Sequence, residues 1–200
     1  MPAGIAGQLR ENTVAILEAH YANASSEAVE AKVTVTFEPA DAGTIENYAG
    51  VMMLADTNFS IPPGAGMNGA APYAHDTTCA FPADVNIFRI GSHTHKRLAK
   101  FEAFHRDVAG AADIAKIYEN TDWHAPLEIT YPDASPMQVT STQGFRFSCA
   151  WNNETASAID FGPSVEDEMC IMGAGYWPRI ENGPYGLGGV VFCADGTLYY

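Results

Sequence analysis

Apolar residues in this chain come in short runs, each about one strand long, set among many glycines and prolines. "AKVTVTFEPADAG" is the clearest case: Val33, Val35 and Phe37 alternate with Lys32, Thr34 and Thr36 at period two, the spacing of a half-buried strand. "NYAGVMMLAD", "VNIFRIGSHTH", "LEITYP", "GFRFSCAWNN", "DEMCIMGAGYW" and "GGVVFCADGTLYY" are further strand-length runs. In "VNIFRIGSHTH", Val85, Ile87, Arg89, Gly91, His93 and His95 share one parity. With 18 glycines and 12 prolines among 200 residues, eight or nine short strands joined by long turns predict an all-β antiparallel sandwich.

Two stretches are ambiguous between helix and strand: "NTVAILEAHYANASSE", and "KFEAFHRDVAGAADIAKIYEN", which turns helix-like near "AADIAKIY". Residues 57–82, dense in proline and glycine, read as a loop opened by the "IPPG" turn. No internal repeat and no low-complexity tract interrupts the chain.

Charge narrows the partners. Twenty-four acidic side chains face ten basic ones, for a net charge of −14. Phosphate backbones and anionic membranes are repelled by such a surface, and no basic cluster longer than "HKR" offsets it. No window approaches the roughly 18 apolar residues of a membrane span. "MPAGIAGQLREN" lacks the basic start and apolar run of a signal peptide, so any secretion signal is expected outside this sequence. Cys79, Cys149, Cys170 and Cys193 include no Cys-x-x-Cys pair. They permit two disulfides in any of three pairings, or buried free thiols.

One constellation suggests a metal. On a strand, residues two apart share a face, so His93 and His95 present two imidazoles side by side, half of a metal site. Such a pair also occurs as ordinary hydrogen-bonded histidines. In "SVEDEMCIMGAGYW", Met169 stands between Glu168 and Cys170. Its thioether would add a soft donor that favours Cu(I) and leave copper an open position; the alternative role is to fill a gap in the core. A disulfide at Cys170 would fix the backbone beside it. The "EDE" run before Met169 reads as a solvated edge rather than a cation site. His75 in a loop, His105 on a mixed polar strand and His124 in a turn read as surface or hydrogen-bonded histidines. Arg89, on the same parity as His93, reads as a surface or ion-paired residue, with a substrate contact as the alternative.

The order "IPPG", a cysteine, "HTH" fourteen residues beyond it, "FSCAWNN" and "DEMC" resembles the C-terminal domain of the copper type II, ascorbate-dependent monooxygenases, over roughly residues 12–193. Peptidylglycine α-hydroxylating and dopamine β-monooxygenases are familiar members. The resemblance implies a jelly-roll-like sandwich with copper held by His93, His95 and Met169, which would be the catalytic residues. It implies disulfides Cys149–Cys170 and Cys79–Cys193, hence an oxidising, extracellular or periplasmic setting. It also implies ascorbate as reductant, O2 at the open position and hydroxylation of a C–H bond on a small-molecule substrate. His20, in "ILEAHYAN", resembles the last ligand of the family's other, all-histidine copper site, but no His-His dipeptide occurs in this sequence. Residues 1–45 therefore read as the tail of a preceding copper domain or as linking strands, and residues 46–200 as the copper-binding sandwich. The whole would be a piece of a longer protein, or a member without its first half.

Two departures bear on substrate. Where the peptide-hydroxylating members carry a carboxylate-gripping arginine and an assisting tyrosine, this sequence has Gly91 and Gly173. A glycine-extended peptide is therefore not the expected substrate. Two other functions fit the sequence: a secreted copper buffer or delivery module without catalysis, and a metal-free sandwich used for interactions.

Overall fold

The computed structural model describes residues 1–9, 11, 26–181, 183–185 and 187–200. In chain order the strands begin with β1 (Ile5–Ala6), β2 (Asn47–Tyr48), β3 (Gly50–Asp56), β4 (Ser60–Ile61) and β5 (Tyr73–Ala80). Next come β6 (Val85–Thr94), β7 (Leu98–Asp107), β8 (Ala112–Asn120), β9 (Glu128–Thr130) and β10 (Met137–Val139). The last are β11 (Gln143–Trp151), β12 (Ile159–Asp160), β13 (Cys170–Trp177), β14 (Val190–Ala194) and β15 (Thr197–Tyr199). Among the described residues the only helical element is one 3-10 turn, Ala42–Thr44.

Two sheets carry the fold. The larger runs β10-β6-β13-β3-β14-β15, with short β9 also on β6; the smaller runs β5-β11-β7-β8. Pairing in both is antiparallel except between β3 and β14. The inner face of the larger sheet supplies Met52, Leu54, Ile87, Ile90, Met172 and Val191; the smaller supplies Phe101, Ala103, Tyr118, Phe145, Phe147 and Trp151. All belong to one buried cluster, which gives the predicted jelly-roll-like β-sandwich. Both disulfides lie in that core. Cys79 on β5 joins Cys193 on β14, and Cys149 on β11 joins Cys170 on β13, so each bridge ties the small sheet to the large one. That is the pairing the family resemblance implies.

Several expectations are corrected. "KVTVTF" forms no strand; residues 26–44 are exposed, with Phe37 at 64%. Alternation makes a strand only where a neighbouring strand takes up its hydrogen bonds, and none of the described residues pairs with this segment. "AADIAKIY" is strand rather than helix, because β8 pairs along β7 and tertiary pairing overrides the helical preference of its alanines. The proline- and glycine-rich segment 57–82 holds eight-residue β5, paired along its whole length with β11, so His75 is a strand residue. Finally, β6 does not keep one parity. Arg89 pairs with Gly175 while Ile87 pairs with Tyr176, which leaves Phe88 as an extra residue in a β-bulge. Val85, Ile87 and Ile90 therefore all face the core, while Arg89, Gly91 and His93 face outward. The ambiguous stretch "NTVAILEAHYANASSE", with His20, lies largely outside the described residues.

Candidate metal centre

β6 ends between the two histidines. His93 projects outward, Thr94 points into the core, and His95 follows just past the strand at 8% exposure. The two rings stand edge to face with centroids 5.3 Å apart. His95 Nδ1 lies 3.0 Å from the Asp167 carbonyl. A carbonyl only accepts, so Nδ1 carries a proton, and in the neutral ring Nε2 is the nitrogen that presents a lone pair. A backbone carbonyl fixing one ring nitrogen so that the other can bind is the usual support of a metal-binding imidazole.

Met169 reaches the same place by register. Cys170 pairs with Thr94 and Ile171 with His93 on the antiparallel partner, so Met169 falls at the level of His95. Burial alternates cleanly here: Glu168, Cys170, Met172 and Ala174 are buried, while Met169, Ile171 and Gly173 are half-exposed. Alternation thus turns Met169 to the outer face of the sheet, the face of His93.

What holds it there is a pair of inward anchors. On one side Cys170 is bridged to Cys149. On the other, the fully buried Glu168 carboxylate accepts the backbone N–H of His95 at 3.1 Å and of Arg97 at 2.7 Å. Burial pushes the Glu168 carboxyl above its ordinary range, opposed by those two N–H bonds. The rest of the "EDE" run grips the same turn. Lys96 Nζ donates to Glu166 at 2.5 Å, and Arg97 Nη1 donates to the Glu166 carbonyl at 2.8 Å. The Lys96 hydrogen bond, with the guanidinium beside it, holds the Glu166 carboxyl below its ordinary range. Residues 166–168 are thus zipped onto 95–97, and the solvated-edge reading fails for Glu168. Period-two parity with Cys170 and Met172 is the signal that would have found it.

The other polar candidates have separate employment. His75 Nδ1 lies 2.6 Å from the buried Asp56 carboxylate, a link from the small sheet to the large one. His105 Nε2 meets Gln143 Oε1 at 3.1 Å, and exposed His124 lies edge-on to Trp123. Arg89 pairs with Glu128 at 3.5 Å, both largely exposed. Among the described residues no three His, Cys, Asp or Glu side chains cluster as a metal site would require. Any third donor from the described residues would be of another kind, and Met169 is in register with His95. Alongside His93 the outer face of the large sheet forms a groove of about 440 Å³, floored by β13 and β6 and walled by residues of β3 and the 126–128 segment.

The sequence family model of the copper type II ascorbate-dependent monooxygenase C-terminal domain matches residues 47–183. No curated protein gives a significant match to the chain.

Proposed function

The chain belongs to the copper type II, ascorbate-dependent monooxygenase family, through its C-terminal domain, and from that premise we propose that it supplies the methionine-copper centre of a secreted C–H hydroxylase. His93, His95 and Met169 are the proposed ligands. The observation that carries this reading is the pinned tautomer of His95, whose Nδ1–H is committed to the Asp167 carbonyl, beside an outward thioether between two buried anchors. Two imidazoles and a thioether fit copper, above all Cu(I), better than zinc, magnesium or calcium.

When bound, copper supplies one-electron chemistry and the activation of O2, with ascorbate as the family's reductant. The chain's own residues do the positioning. Asp167 holds the His95 ring so that Nε2 keeps one direction. Glu168 and Cys170 keep the Met169 backbone from relaxing inward. The groove beside His93 lays a substrate C–H bond along the sheet surface, next to the ligand set. Gly91 and Gly173 provide no side chain to grip a carboxylate, so the substrate is not a glycine-extended peptide.

Residues 1–45 are proposed as the end of a preceding copper domain. The exposed Val33, Val35 and Phe37 side chains support this, since a preceding domain would bury such apolar groups. His20 would belong to that domain's copper site. The two disulfides support an oxidising, extracellular or periplasmic location. Among the described residues no helix is long and apolar enough to cross a membrane.

The test is Cu(I) titration against a competing chelator, with X-ray absorption of the loaded protein. One Cu(I) with sulfur in its first coordination shell is expected. Met169→Ala should remove the sulfur signal, and it or His93→Ala should weaken binding about 10- to 100-fold. A wild-type protein that takes up no Cu(I), or a Met169→Ala variant that keeps the sulfur signal, overturns the reading. Ascorbate-dependent O2 uptake with a hydroxylated product then separates hydroxylase from copper carrier.

A further inference from the structure

The groove beside His93 has a floor that the fold does not require. Gly173 and Gly91 are directly paired on β13 and β6, one step along the sheet from the Ile171–His93 pair. Neither has a positive φ. A side chain at Gly173 would meet nothing within 4 Å, and one at Gly91 would meet only the Leu127 carbonyl, at 3.8 Å. The neighbouring glycines differ. A Cβ at Gly175 would strike the Phe88 ring at 2.3 Å, and one at Gly50 the Tyr176 ring at 2.3 Å, so packing explains both. Glycine weakens a strand interior; at 91 and 173 it leaves a bare patch of backbone in open space next to an imidazole.

The walls of that patch are apolar. Met53 flanks Gly173 on β3, at 42% exposure, and Val51 lies one step along, at 58%. Leu127, 49% exposed, stands on the opposite side. Two charged side chains border the groove, Arg89 and Glu128, and they neutralise each other across 3.5 Å. The exposed methionine, valine and leucine are left partly hydrated while the groove is open. A cavity of about 440 Å³ is in the range that encloses one small organic molecule.

We infer that this groove takes an uncharged, flat, apolar molecule, an aryl or alicyclic compound without a carboxylate or ammonium group, lying on the Gly91–Gly173 backbone. The side-chain-free floor admits a ring face against the backbone, the Met53 and Leu127 walls replace its hydration shell, and among the described residues lining the groove Arg89 and Glu128 are already paired with each other. This inference deepens the hydroxylase reading, because the compound would present its C–H bonds to the His93 end of the groove. Its recognition uses no copper, so it can be tested apart from the metal.

The test is binding to the copper-free full chain, read by ligand-observed and backbone NMR, with three compounds that share one ring system: indane, 2-aminoindane and indane-2-carboxylate. Indane is expected to shift the amides of residues 91, 127 and 173. The two ionised analogues should bind at least about tenfold more weakly, because each would leave a charge without a partner. Gly173→Leu, which fills the floor and leaves all three proposed ligands in the chain, should weaken indane binding by at least about tenfold while Cu(I) affinity stays within about twofold. Equal or better binding of either ionised analogue overturns the inference on the wild-type protein alone, whatever the variant does. Unchanged indane binding in Gly173→Leu also overturns it. So does no indane binding at all, the outcome expected if another protein segment covers this face. A protein that binds indane as described but takes up no Cu(I) loses the copper reading and keeps the apolar groove.

Discussion

The position of Met169 is decided by the residues on either side of it. Glu168 faces inward to accept two backbone N–H groups, and Cys170 faces inward to its disulfide; in an extended chain the residue between them has only the outward direction left. Glu168 is therefore a positioning residue, and Glu168→Gln tests it. The amide keeps one acceptor oxygen but sets an NH2 group against the second N–H donor. The expected cost is about 1–3 kcal/mol in urea unfolding, together with weaker Cu(I) binding in the competition assay. Loss of stability with undiminished Cu(I) affinity would show that the anchor does not position Met169. At this scale the proposed ligands could be named from sequence, because imidazoles two apart on a strand and a thioether beside a cysteine are chemical signals. The Glu168 anchor was read wrongly because its charge was weighed as a surface signal, although its parity matched that of buried Cys170 and Met172.

Elements bring these residues together, and the two disulfides determine how firmly. Each bridge crosses the core from one sheet to the other, but they close loops of different size, with sequence separations of 114 for Cys79–Cys193 and 21 for Cys149–Cys170. On a chain-entropy model, replacing the first pair with alanine costs about 5 kcal/mol and the second about 3 kcal/mol. The effect on copper should run the other way. Cys149→Ala/Cys170→Ala frees the backbone next to Met169 and should weaken Cu(I) binding, whereas Cys79→Ala/Cys193→Ala, made far from the ligands in sequence, should leave it nearly unchanged while the protein remains folded. Urea midpoints and Cu(I) competition on the two double variants check both orders. Sequence pattern located most of these strands, since runs such as "GFRFSCAW" alternate over a length only a strand explains. It failed where pairing rather than propensity decides: "AADIAKIY" became strand against β7, and "KVTVTF" stayed unpaired. The Phe88 bulge, which turns His93 away from the face of Val85 and Ile87, leaves no mark in the residue pattern.

Across the whole molecule, the phenols of two buried tyrosines and one half-buried one link the fold to pH. Tyr176 is fully buried and donates its hydroxyl to the Gly189 carbonyl at 3.1 Å, tying β13 to the segment that leads into β14. Burial pushes its pKa up to about 12, and burial also raises Tyr118 and Tyr131. In the unfolded chain these phenols lose their protons near pH 10. Between that value and about 12 the folded protein holds more protons than the unfolded one, so stability must fall as pH rises. The Tyr176 contribution is complete below pH 10 and declines by about 2 kcal/mol as the pH approaches 12. The net charge of −14 at neutral pH grows over the same interval and adds self-repulsion in the same direction. Tyr176→Phe should therefore cost about 1 kcal/mol at pH 7, through the lost hydrogen bond, yet lose less stability than wild type between pH 9.5 and 11.5. Urea unfolding across that range reads both slopes. Parallel slopes would mean that the buried Tyr176 phenol does not govern the alkaline limit of the fold, and that Tyr118, Tyr131 and the overall charge set it instead.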